Sequence, residues 1–380
     1  MASRTVSLAH PESPLTQEMA TVAAAGPLAV KVCRLGSDRR AGLSLVQLVA
    51  GTTRVFLVPE RGLGIWKMLV GDVALGWQSP VAGPVHPAFV PLAEPSGLGW
   101  LDGFDELVAR CGLVSNGAPD FDAAGRLRHG LHGRIANLPA HEFNATLDEE
   151  AGTITLTGAV DETRFLFHSL RMETRLVLRA DRPRIEWTDT VTNRADRPTT
   201  MQMLYHVNFG PPLLGAGAEC LASIEELAPR DAAAAADVPS WSRYDAPQPG
   251  RGEEVHFARL RSDSAGRATA VLVAPDGSQA AGLFWKTDTL PCFSLWKNQG
   301  GEADGYVTGL EPGTNYPNPR SFEEAQGRVV SLAPGGSVSF DLALEHLSGE
   351  RLTAVRDALA RLAVKPGLVH AKPKPGWSAG

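Results

Sequence analysis

Short runs of apolar and β-branched residues, most of them closed by glycine or proline, dominate this sequence and constrain its fold more than any other feature. The 39 glycines and 28 prolines mostly separate segments rich in Val, Leu, Thr and Phe, which is the pattern of β-strands joined by turns. Strand-and-turn units occur at residues 43–62, with a turn at Gly51, and at 152–160, 168–180, 184–195 and 199–210. The pattern predicts an all-β fold. We expect a large antiparallel β-sandwich with few short helices, because so large a sheet must form two packed layers to cover its apolar faces.

Helical periodicity is scarce, and its clearest case lies near the C-terminus. Within residues 349–363 one apolar stripe is formed by Leu352, Val355, Leu359 and Leu362, which predicts a helix docked on the sheet. Residues 101–113 are expected to form a shorter helix or an irregular segment. The alanine-rich stretch 230–241 is expected to be a surface excursion between strands.

The domain organisation follows from the absence of a convincing linker. We predict one sugar-binding catalytic β-sandwich domain over residues 26–365. A disordered N-terminal segment, 1–25, is expected before it, and a flexible tail, 366–380, after it.

Composition and charge exclude several classes of function. The 36 basic and 42 acidic residues give a net charge of −6 without basic clusters, so nucleic acid is not an expected partner. The sequence has no run of eighteen apolar residues, so no membrane span is expected. Residues 19–30 lack the basic start of a signal peptide. The four cysteines are widely spaced and show no CxxC motif, which favours a cytoplasmic protein. The oligomeric state stays open.

Three polar clusters lie where predicted strands meet loops, and they are the candidate site. They read "HGLHGR" (129–134), "LYHVNFG" (204–210) and "GLEPGTNYPNPR" (309–320). In the second cluster, strand alternation places His206 and Asn208 on one face. In the third cluster, Glu311 stands directly before Pro-Gly, where a strand must end.

A histidine and a glutamate that converge from distant strands suit general acid–base catalysis on a neutral polyol. We therefore predict His206 and Glu311 as the catalytic pair. Side chains that could hydrogen-bond sugar hydroxyls, and are predicted to bind substrate, are His132, Arg134, Asn116, Asn208, Lys297 and Asn315. Tryptophans such as Trp66, Trp100 and Trp296 could stack on a sugar ring.

The motifs "RGLGI", "FDELVARCGLVSNGAP", "LHGR", "YHVNFG" and "EPGTN", between about residues 40 and 345, resemble the aldose 1-epimerase (galactose mutarotase-like) superfamily. The resemblance is closest to an aldose-1-epimerase-like branch of it. It implies a galactose mutarotase-like sandwich in which His132 binds substrate, His206 is the general acid and Glu311 is the general base. It implies a mutarotase or sugar epimerase that needs no cofactor.

This sequence departs from the family pattern in two places. Arg134 stands where typical galactose mutarotases have a second glycine, and the substrate-binding aspartate segment has no convincing copy. Asp245 and Glu226 lie in roughly the right region without a recognisable context. Together with Arg61, which is also predicted to bind substrate, Arg134 would favour a sugar that carries a carboxylate or phosphate.

Two other functions stay open from the sequence. His129, His132, His206 and Glu311 could form the metal site of a sugar isomerase. Alternatively, the same cleft could bind a carbohydrate without catalysis, because fold alone does not imply chemistry. Each candidate residue taken alone is also compatible with a structural role.

Overall fold

The computed structural model describes residues 14–379, and its main feature is a pair of large β-sheets. The strands are β1 (Ala20–Ala25), β2 (Leu28–Arg34), β3 (Ser44–Ala50), β4 (Thr53–Val58), β5 (Gly64–Val70), β6 (Val73–Leu75), β7 (Val108–Leu113), β8 (Asp120–Phe121), β9 (Leu127–His129), β10 (His141–Asp148), β11 (Thr153–Arg164), β12 (His168–Arg179), β13 (Arg184–Asn193), β14 (Thr199–Phe209), β15 (Glu219–Ala222), β16 (Ile224–Pro229), β17 (Glu254–Leu260), β18 (Arg267–Val273), β19 (Gln279–Lys286), β20 (Cys292–Asn298), β21 (Val307–Gly313), β22 (Val330–Leu332), β23 (Ser337–Ser348) and β24 (Leu368–Val369).

The α-helices are α1 (Ala232–Asp237), α2 (Arg320–Ala325) and α3 (Gly349–Leu362), and short 3-10 helices occur at Pro14–Thr16, Asp38–Arg40, Pro87–Phe89, Gly99–Gly103, Ile135–Asn137, Val238–Ser240 and Glu302–Asp304. No helix in residues 14–379 is both long and apolar enough to cross a membrane.

The larger sheet has 14 strands, in the order β1-β2-β3-β4-β5-β7-β14-β21-β20-β17-β16-β24, with β6 on β5 and β22 on β14. The smaller sheet has eight strands, in the order β10-β11-β12-β13-β23-β19-β18-β15. Pairing is antiparallel except between β16 and β24. The all-β sandwich expected from the sequence is confirmed.

The two sheets enclose the main hydrophobic core. Every second residue of β13 is buried, because one face of the smaller sheet packs inward and the other meets solvent. In the larger sheet, Tyr205 and Val207 of β14 join this core. Within it, Arg110 of β7 forms a buried ion pair with Asp189 of β13, with 2.6 Å between Nε and Oδ2.

Strand β14 is buried on its other face as well, and that second face carries His206 and Asn208. The connection between β6 and β7 supplies the cover there, because Trp77, Trp100 and Phe104 form a separate cluster with Leu204 of β14. The functional side chains therefore lie outside the inter-sheet core, beneath an aromatic layer.

Three local predictions can be compared with the structure. Helix α3 confirms the predicted C-terminal helix, and Leu352, Val355 and Leu359 pack on the smaller sheet. Residues 101–113 do not form an α-helix: the 3-10 helix Gly99–Gly103 is followed by strand β7. The run "VARCGL" is buried on both faces within the sheet, and this tertiary burial outweighs weak local helical preference. The alanine-rich stretch contains α1, capped by Asp231 on the amide of Ala234.

The chain ends differ from the expected disorder where they are described. Ala20–Ala25 pairs with β2, although disorder was expected up to residue 25; residues 1–13 lie outside the described part. In the tail, Leu368–Val369 pairs with β16 and Trp377 packs on Tyr316 with ring centroids 4.9 Å apart. Backbone pairing at an open sheet edge explains why both segments are held. The single domain over 26–365 stays a prediction.

Candidate active site

His206 and Glu311 face each other across neighbouring strands of the larger sheet. Strand β14 pairs with β21 in a register that joins Leu204 to Gly313 and Val207 to Leu310, which puts His206 directly opposite Glu311. Cross-strand neighbours project on the same face of a sheet. The Nε2 atom of His206 lies 3.1 Å from Oε1 of Glu311, and both side chains are buried.

Asn208 sets the tautomer of His206. The Asn208 side-chain amide donates to the backbone carbonyls of Glu106 and His206, each at 3.0 Å, so its Oδ1 is left to accept. That oxygen contacts His206 Nδ1, which therefore carries a proton. In a neutral imidazole, Nε2 is then the unprotonated nitrogen, and it faces the carboxyl of Glu311.

The environment of Glu311 favours the protonated carboxyl. Burial raises the pKa of Glu311 well above its usual value; the charge of Glu253 raises it further, and that of Arg230 lowers it. Its Oε1 is close to His206 but not aligned for a hydrogen bond, and it has no other partner in residues 14–379. Burial lowers the pKa of His206 well below its usual value, and the neighbouring His132 lowers it further. The two groups can therefore share one proton at neutral pH.

His132 approaches this pair from the "HGLHGR" turn. Its backbone is left-handed, with φ of 56°, a conformation that is uncommon outside glycine and found at functional sites. Its Nδ1 donates to the carbonyl of Asn116 at 2.9 Å, and its ring lies 5.3 Å from that of His206, centroid to centroid. Burial lowers the pKa of His132 to about 4, so the ring is neutral at pH 7 and Nε2 is an acceptor.

A glycine makes this turn possible. Gly133 has φ of 71°, and a Cβ there would collide with the carbonyl oxygens of Ser115 and Gly112. This close backbone approach explains why glycine flanks His132 in the sequence.

Three aromatic rings pack against the two histidines. Phe104 and Trp296 lie 5.0 and 5.2 Å from the His206 ring, and Trp100 lies 4.6 Å from the His132 ring. Trp100 and Trp296, proposed from the sequence as stacking residues, are thus at the site. Trp66 is not, because it packs in another cluster and its Nε1 donates to Asp105 at 2.6 Å.

Glu253 and Arg230 complete the site, and sequence reasoning missed both. The Trp296 indole donates to Glu253 at 2.8 Å, and Glu253 pairs with Arg230 at 2.9 Å. Both are more exposed than the catalytic candidates. The charge of Glu253 raises the pKa of both His132 and Glu311, so this carboxylate lies near both. Glu253 sits in the loop-like "GRGEE", which carries no recognisable site motif.

Two predicted substrate contacts are corrected by their burial. Arg61 is 1% exposed and is held by Glu106 at 2.6 Å and by the carbonyl of Gly103 at 2.9 Å. Lys297 is fully buried and pairs with Asp237 at 2.5 Å. Both side chains are buried and have no free surface for a ligand. Each positive charge is neutralised by a carboxylate, as a buried charge requires.

The predicted asparagines act behind the site. Asn116 and Asn315 are fully buried and exchange amide hydrogen bonds of 2.9 and 2.8 Å, which ties the His132 turn to the end of β21. With Asn208 on His206, these side chains position the catalytic groups. Their amides are engaged in hydrogen bonds within the protein, so direct substrate contact stays a prediction for all three.

Arg134 and His129 lie apart from the catalytic pair. Both line a separate pocket on the other side of the turn. His129 is therefore not gathered with His132, His206 and Glu311, and residues 14–379 contain no group of three or more His, Cys, Asp or Glu side chains arranged to hold a metal ion.

The two carboxylates considered for the missing aspartate are committed elsewhere. Asp245 pairs with Arg251 at 2.8 Å, and Glu226 pairs with Lys374 at 2.6 Å and His370 at 2.8 Å.

Comparison with known proteins agrees with this architecture. Residues 40–346 match the family model described as "Domain of unknown function (DUF4432)". The solved structure of a "putative aldose 1-epimerase" from Klebsiella pneumoniae is 31% identical, with a TM-score of 0.88 over 92% of each chain. No curated protein sequence matches the chain.

More distant structures share the fold. A galactose mutarotase-like protein from Clostridium acetobutylicum is 15% identical with a TM-score of 0.58, over 85% of this chain and 99% of its own. Galactose 1-epimerase from Lactobacillus acidophilus is 12% identical with a TM-score of 0.54, over 85% of this chain and 100% of its own. With its matched family model, its sandwich and its similarity to the Klebsiella structure, this chain belongs to the DUF4432 family, within the aldose 1-epimerase (galactose mutarotase-like) superfamily.

Proposed function

We propose that His206 and Glu311 interconvert the anomers of a monosaccharide or a monosaccharide derivative by general acid–base ring opening. The observation that carries the proposal is the buried pair itself, in which Nε2 and Oε1 lie 3.1 Å apart. A positioned acid or base typically contributes about 10²- to 10⁴-fold to a rate.

The reaction moves one proton through the pair and returns it. The reactive form is the one in which the proton of the pair lies on His206. In this form the Glu311 carboxylate takes the proton of the anomeric hydroxyl while the His206 imidazolium donates from Nε2 to the ring oxygen, and the C1–O5 bond breaks. The pair then holds a neutral imidazole and a carboxylic acid, with its total charge unchanged. After rotation about C1–C2, the reverse transfers close the ring on the other face.

The tautomer of His206 supports this route. Because Asn208 keeps a proton on Nδ1, Nε2 is the atom that gains and loses a proton, and it is the atom that faces Glu311. Burial lowers the pKa of His206 and raises that of Glu311, which favours one proton on the pair. The cycle needs one proton on the pair before and after each ring opening.

The surroundings suit a sugar with few charges. We expect His132 to accept a hydroxyl hydrogen, Glu253 to bind one or two hydroxyls where mutarotases of this superfamily use an aspartate, and Trp100 or Trp296 to cover an apolar ring face. The chemistry of the pair calls for no cofactor. Carbohydrate metabolism is the corresponding role, with a free sugar as the partner.

The test is NMR exchange spectroscopy of anomer interconversion over aldoses, ketoses, sugar phosphates and uronates. Wild type, Glu311→Gln and the surface control His141→Gln are compared. We expect faster exchange for one sugar class, lost by at least about 10²-fold in Glu311→Gln and retained in His141→Gln. Sugar binding without any exchange would instead favour a carbohydrate-binding protein. Full activity in Glu311→Gln would remove Glu311 from the mechanism.

A further inference from the structure

A second cavity, of about 620 Å³, lies between the turn at residues 130–134, the start of β14 and the hairpin of β11 and β12. We call it the basic pocket. Its size is that of a small-molecule site. Its charged lining is dominated by Arg128, Arg134, Arg164 and Arg320, with His129 and His168 beside them.

The positive charge of this pocket is not neutralised locally. Arg128, Arg134 and Arg164 are exposed and Arg320 is half-buried, and within residues 14–379 none of the four forms an ion pair with a carboxylate like that of Arg110 with Asp189. Among the described residues of the lining, Glu162 is the one carboxylate. Its Oε2 accepts from the amide of Leu113 at 2.6 Å; burial raises its pKa, whereas the Leu113 hydrogen bond and the charges of Arg134 and Arg320 lower it, so one carboxylate faces four arginines.

The carboxylates behind the pocket do not cancel this charge. Asp120 and Glu324 act on Arg320 from outside the lining. Asp120 is already bound to the amide and hydroxyl of Ser321, at 2.8 and 2.9 Å. The lining therefore keeps more positive than negative charge.

Two of the arginines are held in place without a carboxylate. The guanidinium of Arg320 donates to the carbonyl of Val114 and to the hydroxyl of Thr200. Arg164 lies over the ring of Phe167, 4.4 Å from its centroid. Arg320 is the better fixed of the two, because Arg164 and Phe167 are both exposed. A planar guanidinium without an ionic partner is suited to bidentate binding of a carboxylate or phosphate.

Unpaired polar atoms point to the same kind of occupant. Ser115 Oγ and His168 Nε2 belong to residues that line the pocket, and both atoms are buried without a hydrogen-bond partner in residues 14–379. The nearest carboxylate oxygen to His168 Nε2, on Glu162, is 3.9 Å away. Buried polar atoms are normally satisfied, and a bound oxyanion would satisfy both.

The basic pocket is distinct from the candidate active site. The ring of His132 packs on Trp100 and His206, whereas Gly130, Gly133 and Arg134 of the same turn line the pocket. The charges that influence the pKa of Glu311 are those of Glu253 and Arg230, with no pocket arginine among them. The turn separates two sites.

We propose that the basic pocket is a second binding site, for a small molecule that carries a phosphate or carboxylate group. The four arginines and the unpaired Ser115 and His168 atoms supply its donors. This site does not depend on the proposed mutarotase activity.

The experiment is isothermal titration of the full chain with inorganic phosphate, a hexose 6-phosphate and malate. The test variant Arg134→Gln/Arg164→Gln removes two exposed pocket charges. The matched control Arg356→Gln/Arg361→Gln removes two exposed charges from α3. We expect saturable binding of at least one probe, weakened by about tenfold or more in the pocket variant and unchanged in the control.

The order of affinity of the probes identifies the ligand class. Tighter binding of the phosphates indicates a phosphate ligand, and tighter binding of malate indicates a carboxylate ligand. Absence of saturable binding for all three probes would overturn the proposal. Equal weakening in both double variants would overturn it too, because it would mean unspecific attraction to net positive charge. Anomer exchange measured on the same variants is expected to stay at the wild-type rate for a neutral sugar.

Discussion

His206 and Glu311 form a direct cross-strand pair, with Nε2 and Oε1 3.1 Å apart on neighbouring strands β14 and β21. Because burial raises the pKa of Glu311 and lowers that of His206, which keeps one proton on Nδ1, we expect the two facing atoms to carry one proton between them at neutral pH. Their shared proton is the basis of the predictions on catalysis below.

The pH profile of anomer exchange should have a broad plateau around neutral pH. Gain of a second proton stops the reaction at low pH, and burial moves this step downward by lowering the pKa of His206. Loss of the shared proton stops it at high pH, and burial moves that step upward by raising the pKa of Glu311. Rates measured by NMR across pH test this, and a single limb near the ordinary histidine pKa of about 6.5 would contradict it.

Asn208 should act as a positioning residue for His206. In Asn208→Leu, the Nδ1 proton loses its acceptor, and we expect a fall of about 10- to 100-fold in the exchange rate. In Asn208→Asp, a carboxylate would stabilise the imidazolium and move the acidic limb to higher pH. Rate profiles and imidazole ¹⁵N shifts measure both effects. The surface variant Asn144→Asp is the control, and an unmoved acidic limb in Asn208→Asp would count against this role.

Gly309 should be required for the geometry of the pair. It stands beside the pair on β21, and a Cβ there would lie 2.5 Å from Glu311 Oε1 and 3.1 Å from His206 Cε1. We expect Gly309→Ala to fold but to lose about 10²-fold in rate, since a shift of about 1 Å in a catalytic group can have that effect. Gly36→Ala, which has open space around its Cβ, is the control. Equal rates in the two variants would show that the pair tolerates displacement.

His132 should make stability depend on acid pH. Its pKa is lowered to about 4 in the folded protein by burial, against about 6.5 in the unfolded chain. The unfolded chain therefore binds more protons between these values, so stability falls as pH drops from about 6.5 to 4, by about 3 kcal/mol at most. Asn tolerates the left-handed backbone at this position, so His132→Asn should show a shallower slope in urea unfolding over this window. An unchanged slope would contradict the buried neutral ring.

Arg110 should be among the residues that matter most for stability. Its ion pair with Asp189 crosses the core, and Asp189 also accepts from Tyr205 at 2.8 Å. Arg110→Met leaves a buried charge without its partner, which we expect to destabilise the fold by about 3–5 kcal/mol. The exposed pair of Arg171 and Asp161 is the comparison, and Arg171→Met should cost less than about 1 kcal/mol. Urea unfolding at neutral pH measures both.

The sequence by itself determined the local features of this protein. Strand alternation in "LYHVNFG" placed His206 and Asn208 on one face, because successive side chains of a strand point to opposite sides. The apolar stripe of residues 349–363 determined helix α3, because side chains three or four residues apart lie on one face of a helix. The glycine beside His132 marked a backbone position that only a residue without a side chain can take.

Tertiary structure decided which of these residues meet and which charges are free. The register of β14 against β21 brought His206 opposite Glu311, and pairing between segments distant in sequence is not encoded by the period of either one. From the sequence, Arg61, Lys297 and Arg134 are all candidate substrate-binding cations. The structure buries the first two against Glu106 and Asp237, carboxylates from distant parts of the chain, whereas Arg134 forms no ion pair within residues 14–379. Glu253 reached the site in the same way, from the loop that leads into β17.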